Sequence, residues 1–543
     1  MKKTLLYIFF CFSVSFFSQE ISLYPAERTA LVSLYQSTNG EQWNIQWDFT
    51  KDPKYWYGLK IQNGHVIELR LNANNLKGNF PSGLGAFSQL KVLNLSSNNL
   101  FGNIEAVASL NGLTELDVSE NNLSGDPSAY VSGLTELQNL SLGKNQFTVA
   151  DFSFLTTLRN LQKLNVANTG LQKIPSEISG LTHLQILDLS GNHITTGFEN
   201  LQGLSTLTEL NISDNQINTL PTSLSSLINL TSLNLSKNPI TNFSGLTNLK
   251  KIEWISLEDN NLNTIPTEIT FLQELRHINL NYNKLTNASL LSQNKKLQQI
   301  FLNNNLFEGA FPSELLALKE IQMISLNNNN LTGAIPLEIP QITLIQNNRY
   351  KKADVEAIYK SGKNFTLLDY SPQRYDEAQT VSVALGDAVT LKQELSGTDG
   401  YQFSWFKNLD LDLHTSFESH HISRVENTDF TNFTCEAYFF EPLGESYFEM
   451  SFFREPIKLE IGSTLTSEEL NTGISVYPIP TSDFLNITSN NEKIEHYSVF
   501  DLSGKLVLSG KTVPVNVKFL PSAAYIIVIK TSRKQYNYKF IKH

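Results

Sequence analysis

One spacing dominates this chain. The pattern L-x-x-L-x-L-x-x-N-x-L runs through Val66, Leu69, Leu71, Asn74 and Leu76, then through Leu90, Leu93, Leu95, Asn98 and Leu100. Further copies start at Leu113, Leu137, Leu161, Leu184, Leu207, Leu230, Ile252, Leu275, Leu297 and Ile321, at intervals of 22 to 24 residues. A degenerate thirteenth copy surrounds Ile342, Leu344 and Asn347. A unit this short cannot bury its own apolar face, so successive copies must stack into a solenoid.

The positions within a copy dictate its shape. The x-L-x-L-x core predicts a short strand with leucines inward and the flanking residues outward. Strands of successive coils stack in parallel, about 4.8 Å apart. The asparagine follows the strand and turns inward, where its amide donates to and accepts from backbone groups as the chain leaves the sheet. The chain holds 56 asparagines, 46 of them before residue 351, which marks where the array ends. Thr169 breaks the series, keeping a hydroxyl but losing the two-donor amide. Phe80-Pro81, Ile174-Pro175, Leu220-Pro221, Ile265-Pro266, Phe311-Pro312 and Ile335-Pro336 punctuate the return segments, where proline fixes the turn toward the convex side.

On these positions the array resembles the leucine-rich repeats. Leu76-Lys77-Gly78-Asn79-Phe80-Pro81 and Leu331-Thr332-Gly333-Ala334-Ile335-Pro336 resemble the L-x-G-x-I-P subtype of plant receptors. The fold implied for 66–345 is an α/β-type solenoid, a horseshoe with a parallel sheet on its concave face. Its open ends require caps. Residues 19–65, with a short helix over Glu27 to Tyr35 and Trp43, Trp47 and Trp56, resemble the N-terminal cap without its frequent cysteine pair. Residues 346–371, with Ala353 to Tyr359 helical, read as the C-terminal cap and linker.

Two all-β sandwich domains are expected downstream. Over 372–461 the apolar residues alternate at Val381, Val383 and Leu385, at Val389 and Leu391, at Phe403 and Trp405, and at Phe433, Cys435 and Ala437. Trp405 and Asp429-x-x-x-Phe433-x-Cys435 resemble the core tryptophan and the corner of an immunoglobulin-like domain. Phe433 stands for Tyr, Thr431 for Gly, and the first cysteine is absent, with Leu391 or Gln393 near its place. The expectation is a sandwich held by packing alone.

After a linker at 462–473, residues 474–543 carry Tyr477-Pro478-Ile479-Pro480-Thr481, then Gly504-Lys505, then Lys539 to Lys542. This tripartite order resembles the type A C-terminal sorting domain of the type IX secretion system of Bacteroidetes. Ile479 stands where Asn is usual and Ala524 where Gly is usual. The resemblance implies passage through the outer membrane with the type IX machinery as partner, and removal of the sorting domain afterwards. The N-terminus fits the first step of such a route. Lys2 and Lys3 precede an apolar stretch from Leu5 to Phe17, and Ser18-Gln19 is a plausible cleavage point, so 1–18 read as a signal peptide. No other stretch is long and apolar enough to span a bilayer, so no transmembrane segment is expected in the mature protein.

Charge and chemistry exclude several functions. With 41 Lys+Arg against 52 Asp+Glu and a pI near 5.4, a basic nucleic-acid surface is not favoured. Two cysteines exclude a disulfide scaffold and a Cys-based zinc cluster. Neither G-x-S-x-G, H-E-x-x-H nor a P-loop is present. His414, His420 and His421 lie near Asp410 and Asp412, but a solvated loop explains them better than a metal site. No cofactor, metal or catalytic set is expected.

What remains is binding. The outward positions are mostly small or polar, as in Glu68 and Arg70 or Ser232 and Asn234. The last four full copies differ, carrying Trp254, His277, Phe301 and Met323. Three of the five tryptophans fall in the N-terminal cap and Trp405 fits a sandwich core, which leaves Trp254 without a structural task. Aromatics and Met gathered on a rigid sheet have the composition of a contact hot spot. The reading is a secreted or cell-surface binding or adhesion protein, reached through the periplasm, whose concave face recognises an extracellular protein or, less favoured, a glycan. Cover of that face by the sandwich or by the C-terminal cap is the structural alternative. An exported enzyme, or its accessory subunit, acting on an extracellular polymer is the functional one.

Overall fold

The structure is a computed structural model. It describes residues 22–149, 151–397, 399–408, 417–443, 446–462, 474–477, 481–489, 493–502, 504–532 and 535–542. The segment read as a signal peptide, Cys11, and the residues Asp410, Asp412, His414, Pro478 and Pro480 lie outside the described residues.

A 15-stranded sheet forms the concave side of the solenoid. It opens with an antiparallel pair, Leu59–Gln62 against His65–Arg70, and every later pairing is parallel. The register is that of the repeat: Leu164 stands beside Leu187, Leu187 beside Leu210, and Leu210 beside Leu233. These leucines are fully buried or nearly so. The sheet does not stop at the thirteenth copy. Ile342–Leu344 pairs with Leu367–Asp369, so the segment read as cap and linker contributes one more strand. That segment also holds a helix, Lys352–Tyr359.

The asparagines form a ladder behind the strands. Asn98 Nδ2 donates to the carbonyls of Leu71, Leu95 and Ser96, at 2.9 to 3.0 Å. Its Oδ1 accepts from the amides of Asn74 and Leu76. The same scheme recurs at Asn121, Asn145, Asn192, Asn215, Asn238, Asn283, Asn305 and Asn329. The Thr169 hydroxyl donates to the Val166 carbonyl of its own coil at 2.7 Å and lies 3.4 Å from Asn192 Oδ1 of the next coil. Among the described residues its side chain makes no bond to a carbonyl of the preceding coil, as the asparagines do. A second, four-stranded parallel sheet on the flank also ends just before this point, with Gln146–Phe147 as its last strand.

At the N-terminal end the helix Pro25–Ser37 covers the first coil. Trp43, Trp47 and Trp56 are buried beside Tyr35, with ring centroids 5.0 to 6.0 Å apart along the cluster. Glu27 is buried, and it accepts from the Val66 amide and pairs with His65 at 2.6 Å.

At the other end, the strands between 373 and 461 form two facing sheets. One has the order Gln373–Tyr375, Ser446–Arg454, Asn432–Leu443, Ile457–Ile461, Gln379–Val383, with Tyr401–Lys407 also on Asn432–Leu443. The other is Val389–Lys392 against Ser419–Ile422. Trp405 sits opposite Cys435 in the register, and both are buried. Leu385 lies outside the strands and is exposed.

Two expectations need correction here. The unit is not held by packing alone. Arg454 and Asp376 form an ion pair at 3.1 Å with side chains 0% and 7% exposed, and the Tyr375 hydroxyl donates to the Cys435 carbonyl at 3.2 Å. His420 and His421 do not lie in a solvated loop. They belong to the strand Ser419–Ile422, where the His420 ring lies between Trp405 and Phe433, 6.1 Å from each. Burial lowers the pKa of His420.

This unit is joined to the solenoid end. Arg374 Nη2 donates to the Asn329 carbonyl and to Asn330 Oδ1, while the Asn347 amide donates to the Pro372 carbonyl. One buried apolar cluster runs without interruption from the N-terminal cap into the sandwich. The last residues have a separate core around Leu485, Val499, Ile527 and Phe540, between a three-stranded and a four-stranded sheet.

Candidate functional site

Each concave strand shows two side chains outward, so stacking creates two columns along the solenoid. The first passes through Glu68, Val92 and Glu115 to Glu209 and Ser232. It then continues through Trp254, His277, Gln299, Met323, Ile342 and Leu367, each directly beside the next. The second passes Asn234, Ser256, Asn279, Phe301, Ser325 and Leu344.

The polar half of the sheet is occupied with itself. Arg70 makes two bonds to the Glu115 carboxylate, at 2.7 and 3.1 Å, and a third to Glu68. The hydrogen bond from Lys60, with the one from Arg70, lowers the pKa of Glu68. In the second column Asn94, Asp117, Asp188, Asn211 and Asn234 each accept from the amide and hydroxyl of the serine two residues on. These side chains shape the exit of the strand, which also accounts for the N-x-S sequences there.

The C-terminal half is different. Its two serines are buried and bonded, Ser256 to Ser236 at 2.6 Å and Ser325 to Asn303 at 2.6 Å, while Asn279 donates to Glu258 and Gln299 stays half-buried. That leaves Trp254, His277, Phe301 and Met323 as half-buried, outward-facing groups on neighbouring strands. The structure brings Trp254, His277 and Met323 into one column and sets Phe301 in the adjacent one. It extends the two columns by three further residues. Ile342 and Leu344 were visible as a degenerate repeat, and Leu367, 49% exposed, extends the first column by one strand. The bonds that hold the sandwich fall on Asn329, Asn330, Asn347 and the helix Lys352–Tyr359; among the described residues none reaches Trp254, His277, Phe301 or Met323.

The C-terminal motif residues are placed as follows. Tyr477 is exposed at the end of a strand, opposite Asn486. Thr481 is buried, donates its amide to the Ile541 carbonyl at 2.9 Å, and bridges to Lys542, also buried. Gly504, at φ 83°, closes a turn in which the Gly504 and Lys505 amides donate to Asp501. Lys539 is exposed, beside Ile526. The fold thus joins the first and third parts of the motif directly, while the second sits on its own turn. Among the described residues no group of three or more His, Cys, Asp or Glu is arranged to hold a metal ion, and no helix is long and apolar enough to cross a membrane.

Comparison with known proteins finds two of these parts. Leucine-rich-repeat models match residues 135–194 and 206–227, and a secretion system C-terminal sorting domain matches 475–543. The chain thus carries leucine-rich repeats followed by a tail similar to a secretion sorting domain. Receptor-like protein 41 of Arabidopsis thaliana is 36% identical over 131 residues, which are 23% of this chain and 15% of that protein. Protein BRASSINOSTEROID INSENSITIVE 1 of the same plant is 31% identical over 201 residues, 36% of this chain and 15% of that protein. The chain thus spans less than a fifth of the length of these curated relatives. Among solved structures, a leucine-rich-repeat protein of Leptospira interrogans is 28% identical with a TM-score of 0.46, covering 56% of this chain and 76% of that one. An internalin of Listeria monocytogenes is 22% identical with a TM-score of 0.46, covering 57% and 92%.

Proposed function

We propose that this chain is an exported binding or adhesion protein whose concave sheet grips an extracellular protein through the apolar columns around Trp254. The carrying observation is the column that holds Trp254, Met323, Ile342 and Leu367, with His277 and Gln299 between the first two and Phe301 and Leu344 beside it, on a sheet whose other half is polar and self-paired. Large apolar groups on a rigid face suit a macromolecular contact, and the absence of a recognisable catalytic motif in the sequence favours binding over an enzyme. The names of the curated relatives, receptor-like proteins, fit the same use.

The route follows from the tail. A signal peptide at 1–18 carries the chain to the periplasm, and the type IX machinery of a Bacteroidetes cell takes it outward by residues 474–543. The mature protein is released or held at the outer surface. We read the unit at 372–461 as an immunoglobulin-like spacer. The pairing of Gln379–Val383 with Ile457–Ile461, and of the Trp405 strand with the Cys435 strand, supports that assignment.

The test is retention of an extracellular partner by the immobilised chain. Trp254→Ala should lose the partner, whereas Glu209→Ala, on the polar half of the same column, should keep it. Equal retention by both variants refutes the site. Turnover of any polysaccharide or peptide by the pure protein would favour the enzyme reading.

A further inference from the structure

Successive coils are tied along two lines, the concave strands and the flank just beyond the ladder. Between the copies starting at Leu207 and Leu230 the flank is closed: Thr241 donates to the Asn218 carbonyl and Leu220 to the Asn242 carbonyl, both at 2.9 Å. Between the copies starting at Leu230 and Ile252, among the described residues, no backbone bond joins 239–244 to 261–266. The flank behind Thr169 is open in the same way, with none between 146–152 and 170–175. The concave side stays closed at both junctions, where Ser232 pairs with Trp254 and Asn139 with Lys163.

Backbone conformation marks both open junctions. In the coils generally the residue before the ladder position is left-handed, as at Asp214 and Lys237. Here the residue after it is left-handed too, Gly170 at φ 77° and Asn261 at φ 58°. The same doublet, Ala73 with Asn75, stands in the first coil, which has no coil before it. A second left-handed residue turns the outgoing chain away from the preceding coil. Each open junction holds a cavity, of about 550 Å³ beside Leu171 and about 710 Å³ beside Leu262. These two leucines are each 8% exposed, whereas Ile194, Ile217 and Leu285, at the same position in tied coils, are 0% exposed.

The two junctions differ inside. The Thr169 hydroxyl is already bonded to Val166. Asn260 keeps its Nδ2 bonds to the Leu235 and Glu258 carbonyls, but its Oδ1 is buried without a partner. Among the described residues the Ile240 amide, one coil back, has no acceptor. In the two preceding junctions these groups meet: Ile194 donates to Asn215 Oδ1 at 2.9 Å and Ile217 to Asn238 Oδ1 at 3.1 Å. A buried acceptor without a donor is costly, and the matching donor stands in register with it.

We infer that the junction before Trp254 is a two-state hinge. In the structure it stands open. In the closed state Asn261 leaves the left-handed region, Ile240 donates to Asn260 Oδ1, and Asn242 pairs with Thr264 as Thr219 pairs with Asn242. Closing exchanges bonds to water for bonds between coils, so the two states differ little in free energy. The motion turns the coils from Ile252 onward, with Trp254 and the sandwich, about the paired concave strands. The junction at Thr169 lacks the ladder amide and stays open. The hinge does not depend on what the concave sheet binds.

Paired cysteines in the full chain read the closed state, because a disulfide needs Cα atoms within about 7 Å. Asn242→Cys with Thr264→Cys should cross-link under mild oxidant, at least roughly tenfold more slowly than Thr219→Cys with Asn242→Cys, since only the closed fraction reacts. Adding Asn260→Ala should slow the first pair about tenfold further, the equivalent of one lost hydrogen bond, and leave the second unchanged. If that variant does not fold, hydrogen exchange of the unmodified chain decides: the Ile240 amide should exchange at least roughly tenfold more slowly than the Phe147 amide, its counterpart at the Thr169 junction. No cross-link in the first pair means a junction fixed open, and equal rates in both pairs mean one fixed closed. Either result overturns the hinge, as does a rate indifferent to Asn260→Ala or equal exchange of the two amides.

Discussion

Trp254 and His277 are directly opposed on adjacent parallel strands, and both side chains leave the sheet on its concave side. Such neighbours are about 4.8 Å apart, so one bound group touches both. Ile342 lies in the same column four strands further on, about 19 Å away at that spacing. A double-mutant cycle on partner binding should therefore give non-additivity of roughly 0.5–3 kcal/mol for Trp254→Ala with His277→Ala. Trp254→Ala with Ile342→Ala should be additive. Trp254→Ala alone should weaken binding by roughly 2 kcal/mol or more, and should lower stability by less than about 1 kcal/mol, because the ring is half-buried. Intact affinity with a large loss of stability would place the indole in the packing instead.

The ladder provides a graded test of the solenoid. Asn98 satisfies three carbonyls and two amides, whereas Thr169 satisfies one carbonyl through its hydroxyl, and its own amide donates to Asn192 Oδ1. At about 1 kcal/mol per bond, with a further penalty for stranded buried groups, Asn98→Ala should cost at least ~3 kcal/mol and Thr169→Ala about 1 kcal/mol. Urea denaturation of the two variants measures the difference. Equal losses would mean that the amide ladder does not tie coil to coil.

These cases show what was legible in the sequence. Strand register and the two outward columns follow from a fixed period and alternation alone, which is why Trp254, His277, Phe301 and Met323 could be grouped before any coordinates. Leu367 was not legible, because its strand carries neither the leucine spacing nor the ladder asparagine; its pairing with Ile342 depends on the helix Lys352–Tyr359 folding back. Nor did spacing announce the Arg454–Asp376 pair, whose members are far apart in sequence and meet only because the strand Gln373–Tyr375 pairs with Ser446–Arg454. The bridge between Thr481 and Lys542 is of the same kind.

The buried ion pair should behave asymmetrically. Arg454 also donates to the carbonyls of Lys392 and Glu455, so its charge stays in place if its partner goes. Asp376→Asn should cost roughly 3–5 kcal/mol, because it leaves that charge buried without a counter-ion. Replacing both members by apolar residues, Asp376→Leu with Arg454→Met, should recover much of that loss. Calorimetry of the sandwich transition reads both. A mild single mutant would mean that water reaches Arg454.

Export can be separated from folding, because the last residues have a core of their own. A chain ending at residue 473 should keep the melting behaviour of the solenoid. In a host carrying the secretion system it should accumulate in the periplasm. Normal surface levels of that truncated chain would refute the sorting role.

Cys435 makes a prediction with a defined sign. Burial pushes its thiol up from 9.0 to about 12, and Tyr370 and Tyr401 are likewise raised from 10.0 to about 12. In each case the folded state holds its proton more tightly than the unfolded chain does. The stabilisation is complete below the unfolded values and is lost as pH rises through the folded ones. Stability should therefore fall between about pH 9 and 12. Cys435→Ala should flatten part of that slope. The native thiol should also resist alkylation at pH 8, and reducing agent should leave the melting temperature unchanged, since Cys435 is the free cysteine of the described chain and is buried. Rapid alkylation under native conditions would show that the strand bearing Cys435 opens, and that the packing around Trp405 does not hold.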